Sequence, residues 1–283
     1  MKNTSDRNVL LIDCPDAKGL VAKISTVLYQ RGANIFSNRE FVCPETKHFY
    51  MRTEFSGTTD HSELLSALHD VRPGGEINVR LAERCRKRLV VLATKEPHCL
   101  GDLLIRSTYD DLNASIEAVI ANRVTLGPLV EKFKIPFHLV SSDNRDRVEH
   151  AMEILNIIKT YNPDYLVLAK YMRILPPEFV QEFRNRIINI HHSFLPAFIG
   201  ANPYKQAYQR GVKIIGATAH FVTTSLDEGP IIGQDVVHVN HRFTSSMMSK
   251  AGKDVEKTVL AKALELVVND RVFVNGNKTI VFD

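Results

Sequence analysis

The chain has 283 residues, 44% of them hydrophobic and 24% charged, with no low-complexity tract. This composition excludes a disordered protein, and the length exceeds that of one ordinary domain, so two are expected. No apolar run approaches the roughly 18 residues of a membrane span, and the start MKNTSDRNVLLID lacks a signal peptide's apolar stretch and cleavage site, so a cytoplasmic protein with no membrane partner is expected. The net charge of +4 lies entirely beyond residue 85. It is too scattered for a nucleic-acid partner, and suits either a solvated surface or a small anionic substrate.

Val9–Cys14 reads as a buried strand, followed by a turn at Pro15–Gly19. Leu20, Val21, Ile24, Val27 and Leu28 then share one helical face that stops near Gly32. Asn34–Val42 and His48–Phe55 are expected strands around the Pro44 turn. Leu64, Leu65, Leu68 and Val71 mark a second helix, and Glu76–Leu81 a last strand. The order βαββαβ is the ferredoxin-like split βαβ unit, whose single sheet keeps one face free for a partner. The charged run ERCRKR, Glu83–Arg88, reads as an exposed hinge and divides the chain into residues 1–85 and 86–283.

Beyond the hinge, Leu89–Ala93, Ile116–Ala121, Phe137–Val140 and Tyr165–Ala169 are apolar runs separated by helical patterns, one of them carrying Val148, Ala151, Met152, Leu155 and Ile158 on one face. Such alternation predicts an α/β, doubly wound, mostly parallel sheet. Ile187–Ile190 adds a buried strand, Lys213–Val222 and Pro230–Val239 an antiparallel pair, Val255–Val268 a closing helix, and Asn275-Gly276 the turn of a last hairpin. Cys14, Cys43, Cys85 and Cys99 form no CxxC pair, so neither a zinc site nor a disulfide framework is expected, and the thiols read as buried or inert.

In open α/β sheets ligands sit outside the carboxyl ends of the strands. The strand IINI runs into His191-His192-Ser193, and period-two alternation puts Asn189 and His191 on one side. Either residue alone is more often a hydrogen-bonded turn residue. Asp227, in SLDEGPII, also has a simple reading as turn chemistry. Together, at loop positions on neighbouring elements, the three could bring an amide, an imidazole and a carboxylate to one crevice. His191, His192, His220, His238 and His241 show no metal motif; His220 and His238 read as packing residues within strands, and no metal is expected. Ser193 lacks a GxSxG context and reads as a turn donor.

The blocks NIHHSFLPAF, GVKIIGATAHFV and LDEGPII closely resemble the folate-dependent formyltransferase family. The resemblance puts that family's catalytic Asn, His and Asp on Asn189, His191 and Asp227. It makes Lys170-Tyr171-Met172-Arg173-Ile174-Leu175 the loop that receives the pterin and formyl group. Two departures narrow it. Where nucleotide-using members carry a Gly-rich phosphate loop, this chain has Thr94–Gly101, with an acidic Glu96 and a φ-restricted Pro97 that make a poor phosphate cradle. His192 stands where the transferases usually have Pro, and the HHSFLPAFIG form resembles the formyltetrahydrofolate deformylase branch, which adds His192 and Gly200 to the implied substrate contacts. That branch also carries an N-terminal ACT domain, whose ligand turn and strand entry resemble DCPDAKGL and GANI. The resemblance spans essentially the whole chain.

It implies hydrolysis of 10-formyltetrahydrofolate to tetrahydrofolate and formate, which balances one-carbon folate pools and supplies formate for purine synthesis, with no cofactor beyond the folate substrate. Asp227 is expected to orient or deprotonate the water and stabilise a charged His191, with His191 and Asn189 donating to the oxyanion. The alternatives are formyl transfer to an unidentified amine, and a sensor with a spent active site. For the N-terminal domain the resemblance implies a homo-oligomer, dimer or tetramer, and an amino-acid effector such as glycine or methionine bordered by Asp16, Lys18, Gly19 and Asn34. Assembly alone is the competing role.

Overall fold

The computed structural model describes residues 7–57, 60–72, 75–82, 85–197 and 203–283. Its contacts divide the chain into two units: Met1–Cys85 with Asp270–Phe273 and Ile280–Asp283, and Arg86–Asn269 with Val274–Thr279. The last residues therefore do not all belong to the second segment, as expected from the sequence. Phe273 and Phe282 are the reason: Phe282 is buried in the core of the first unit and the half-buried Phe273 packs against it.

The first unit contains β1 (Arg7–Pro15), α1 (Leu20–Gln30), β2 (Asn34–Cys43), β3 (His48–Ser56), α2 (His61–His69) and β4 (Asn78–Ala82). Its sheet has the order β2-β3-β1-β4 and is antiparallel throughout. Alternation sends Leu10, Ile12 and Cys14 towards Ile24, Leu28, Leu64 and Leu68 on the helices. Val9 and Leu11 point the other way and meet Phe273, while Tyr50 meets Phe282. β1 is thus covered on both faces, which explains its unbroken apolar run and reduces the sheet face free for a partner. Asp60 starts α2 by accepting from the backbone N–H groups of Ser62 and Glu63.

The second unit contains β5 (Lys87–Ala93), α3 (Pro97–Thr108), β6 (Ala114–Ala121), α4 (Gly127–Glu131), β7 (Phe137–Leu139), α5 (Arg147–Tyr161), β8 (Tyr165–Ala169), α6 (Pro177–Glu182), β9 (Ile187–His191), α7 (Pro203–Arg210), β10 (Ile214–Phe221), β11 (Ile231–His238) and α8 (Ser245–Val268). The chain closes with a hairpin of β12 (Val272–Asn275) and β13 (Lys278–Val281). The seven-stranded sheet runs β11-β10-β9-β8-β5-β6-β7. β7 to β9 are parallel; β10 and β11 are antiparallel additions. Val90, Leu92, Leu166 and Leu168 pack on α5 and α6 through Ile154, Ile158 and Phe179, and α3 and α8 pack against each other.

From β5 the chain winds outward to β6 and β7, then returns to place β8 on the other side of β5. That reversal is a topological switch point, where the loops after β5 and β8 diverge and leave a crevice. α8 begins well before its apolar pattern does: the Thr244 side chain accepts from the Met247 N–H and caps the helix ahead of a polar first half. Among the described residues, no helix is long and apolar enough to cross a membrane.

Candidate active site

A cleft of about 700 Å³ opens at the switch point of the second unit. Asn189, His191 and Asp227 all line it, and so do Tyr171, Met172, Arg173, Ile174 and Leu175. His192 lines it as well. Gly200 lies outside the described residues. The proposed effector residues are elsewhere, in the first unit: Asp16, Lys18 and Gly19 in the turn after β1, and Asn34 at the start of β2, all exposed.

β9 delivers Asn189 and His191 to the same side, as period two requires. β10 runs antiparallel beside it with His220 opposite Asn189 and Thr218 opposite His191, so these side chains share that face. The reading of His220 as a packing residue is therefore incomplete: it is buried, but it is a member of the site. Its Nδ1 donates to the Phe221 carbonyl at 2.9 Å, and its Nε2 lies 3.2 Å from the Asn189 amide nitrogen. The Asn189 amide is thereby oriented, with a second N–H left for another acceptor.

Asp227 reaches the same point from the turn between β10 and β11. Its φ of 56° is a left-handed conformation that Asp tolerates better than most residues. Two residues on, a Cβ at Gly229 would lie 1.8 Å from the Phe221 carbonyl oxygen, so only glycine permits this close return of the turn to β10. The Asp227 carboxylate stands 3.3 Å from His191 Nδ1 and 3.7 Å from His220 Nε2. Burial pushes this carboxyl up, but its contacts with His191 and His220 outweigh that and hold it well below the usual carboxylate range. The Asp227 carboxylate thus faces His191 Nδ1, while His191 Nε2 is buried without a hydrogen-bond partner.

Side-chain hydrogen bonds hold the segment after β9. Thr218 Oγ1 donates to the Ser193 carbonyl and accepts from the Leu195 N–H and the Gln234 amide. Ser193 Oγ donates to the Ala197 carbonyl at 2.7 Å, the work of a turn residue. On the neighbouring loop, the Met172 N–H donates to Thr94 Oγ1, tying the segments after β8 and β5 together.

A second cluster in the cleft wall has no counterpart in the sequence reading. Glu256, on α8, is 1% exposed. It accepts from Tyr204 at 2.6 Å through one oxygen, and through the other meets His98 Nε2 at 2.7 Å and Lys170 Nζ at 3.2 Å. Burial alone pushes Glu256 up, but His98, Lys170 and Tyr204 pull it down to about 2. His98, Cys99 and Glu256 stand close enough to hold a metal. However, Lys170 already supplies the cation, and burial pushes the Cys99 thiol far up, away from the thiolate a metal would need. The signal for Glu256 was a carboxylate on the same helical face as Val259 and Leu260, where a charge must find a buried partner.

With this geometry in view, the relatives are informative. The model of the formyl transferase family matches residues 87–264. A formyltetrahydrofolate deformylase of Haemophilus influenzae is 56% identical over 276 residues, covering 98% of this chain and 99% of the relative. The chain belongs to the formyltetrahydrofolate deformylase family. The deformylase of Escherichia coli K12 is likewise 56% identical, over 97% of this chain and 98% of that protein. The crystal structure of a formyltetrahydrofolate deformylase from Pseudomonas syringae pv. tomato superposes with a TM-score of 0.95 at 41% identity, covering 100% of this chain and 96% of that one.

Proposed function

We infer that this chain hydrolyses 10-formyltetrahydrofolate to tetrahydrofolate and formate. Deformylase relatives that match it from end to end support the reading. The observation that carries it is local: an ionised Asp227 braced by two imidazoles, beside the Asn189 amide and the unpartnered His191 Nε2, in a cleft large enough for a folate. Exposed Met172 and Ile174 offer the flat pterin an apolar rest.

In the reaction, a water oxygen bonds to the formyl carbon and the carbonyl oxygen becomes an oxyanion. Nε2–H of a charged His191 and the free Asn189 N–H donate to it. A carboxylate held as low as Asp227 accepts protons poorly at rest, so its first role is to stabilise the His191 imidazolium and fix the water. It takes the water's proton only as attack makes that proton acidic. Collapse breaks the C–N10 bond, the proton passes to N10, and formate leaves. N10 is an aryl amine and departs readily, so neither a metal nor a further cofactor is required.

In the same reading the first unit is an ACT-type ferredoxin-like regulatory domain, which its antiparallel β2-β3-β1-β4 sheet supports. In this reading it assembles a homodimer or tetramer, and binds an amino acid such as glycine or methionine near Asp16, Lys18, Gly19 and Asn34. The enzyme works in the cytoplasm, and the formate enters one-carbon supply for purine synthesis. Formate release without any amine acceptor tests the hydrolase; none from the wild type, with glycine or methionine present, moves amine transfer ahead. Calorimetry with the same two amino acids tests the regulatory unit, and no heat from either leaves it an assembly module.

A further inference from the structure

The cleft carries more ionisable groups than hydrolysis uses, and most of the surplus lies along one wall. That wall can be followed outward from the catalytic imidazole. The His191 ring is 5.2 Å from the His192 ring, which is 6.2 Å from the ring of Tyr204 on α7. Tyr204 donates to Glu256 at 2.6 Å, and Glu256 is also held by His98 and Lys170. Further along, Glu96 is paired with Lys253 at 2.6 Å. The phenol is buried deeply enough that its pKa is pushed far above the usual range, so Tyr204 stays a neutral donor.

The ring's position is written into the opposing helix. A Cβ at Gly252 on α8 would lie 2.2 Å from the Tyr204 ring carbon and hydroxyl oxygen. Any other residue at 252 displaces the ring, so the glycine is what lets Tyr204 come this close to α8 with its hydroxyl on Glu256. The arrangement also neutralises the wall. A primary amine attacking the formyl group approaches as a cation or a proton donor and is drawn to free carboxylates. Glu96 and Glu256 each face a lysine already, and Glu256 accepts two further hydrogen bonds.

We propose that the ring of Tyr204, seated on Gly252, is the specificity element that closes this wall to amines and reserves the formyl carbon for water. The proposal rests on the hydrolase reading above and deepens it. An amine that entered would bond to the formyl carbon through its nitrogen, lose a proton to the site, and leave as a formamide while N10 is reprotonated. Water follows the same balance and leaves as formate. The choice between them is one of access.

The test is partition. Purified full-length protein is given 10-formyltetrahydrofolate and increasing glycinamide; formate and N-formylglycinamide are quantified by mass spectrometry for the wild type, Tyr204→Ala and Tyr204→Phe. The expectation is formate alone from the wild type and from Tyr204→Phe, which keeps the ring, and at least a tenfold larger formamide share from Tyr204→Ala. If Tyr204→Ala does not fold, Tyr204→Leu carries the same expectation. A truncated variant that folds, turns over substrate and still yields only formate overturns the proposal while leaving the hydrolase reading intact. Leakage by Tyr204→Phe equal to that of Tyr204→Ala also overturns it, because the hydrogen bond and not the ring would then be the barrier. A wild type that forms no formate at all contradicts the hydrolase reading itself.

Discussion

Asp227 touches two imidazoles, and its low pKa keeps it charged throughout the neutral range. Asp227→Asn keeps the shape and removes the negative charge beside His191, so kcat for formate release should fall by about 10²–10⁴. Asn189→Ala removes one oxyanion donor and should cost about 10²–10³ in kcat with a smaller change in KM. Near-normal turnover in either variant would remove that residue from the mechanism. Glu256 makes a different prediction. Its folded pKa of about 2 lies below the usual 4.5, so the unfolded chain binds the proton more readily. The stability this contributes, about 3 kcal/mol, is complete above pH 4.5 and is lost as the pH falls towards 2. Glu256→Gln should therefore flatten the acid side of a Tm-against-pH curve in that window, while lowering Tm at neutral pH because Lys170 loses its counter-charge. An unchanged acid limb would show that other carboxylates dominate it.

At the scale of elements, the turn that carries Asp227 depends on Gly229. A methyl group there meets the Phe221 carbonyl at 1.8 Å, so Gly229→Ala must push the turn away from β10 and swing Asp227 with it. The expected result is at least a tenfold loss in kcat and a drop of a few degrees in Tm, on the order of 1–3 kcal/mol. Wild-type kinetics in this variant would mean the turn relaxes without moving the carboxylate. Such elements also show what the sequence makes legible. The apolar strands and the pairing of Asn189 with His191 follow from period two, because burial forces the pattern. His220 did not follow from its own strand; its role appears once β10 is set antiparallel to β9, and register is a property of two segments together. The first half of α8 was illegible for another reason: SSMMSKAGK is mostly polar and small, and what holds it is the Thr244 cap and the buried Met248 packed with Ala207 and Ile215.

At the scale of the molecule, the last residues serve the first unit. Phe273 packs with Val9, Leu11 and Ala82, and Phe282 with Cys43 and Tyr50; Phe273 and Phe282 also meet edge to face at 5.8 Å. Burying a phenylalanine contributes about 1.5–3 kcal/mol, a large share of the roughly 5–15 kcal/mol that stabilises a whole domain. With the same segment the second unit loses the Thr279 hydroxyl bond to the Ile231 carbonyl. The cleft-lining residues all fall between Lys95 and Glu256. Deleting residues 270–283 should therefore separate the two units in their responses. Limited proteolysis read by mass spectrometry should show cleavage within residues 7–82 well before the segment 86–269 is attacked, and the truncated protein should still release formate before cleavage. If the first unit resists protease as well as it does in the full chain, the two phenylalanines are not what completes its core. If formate release disappears while the segment 86–269 stays protected, the first unit contributes to turnover directly.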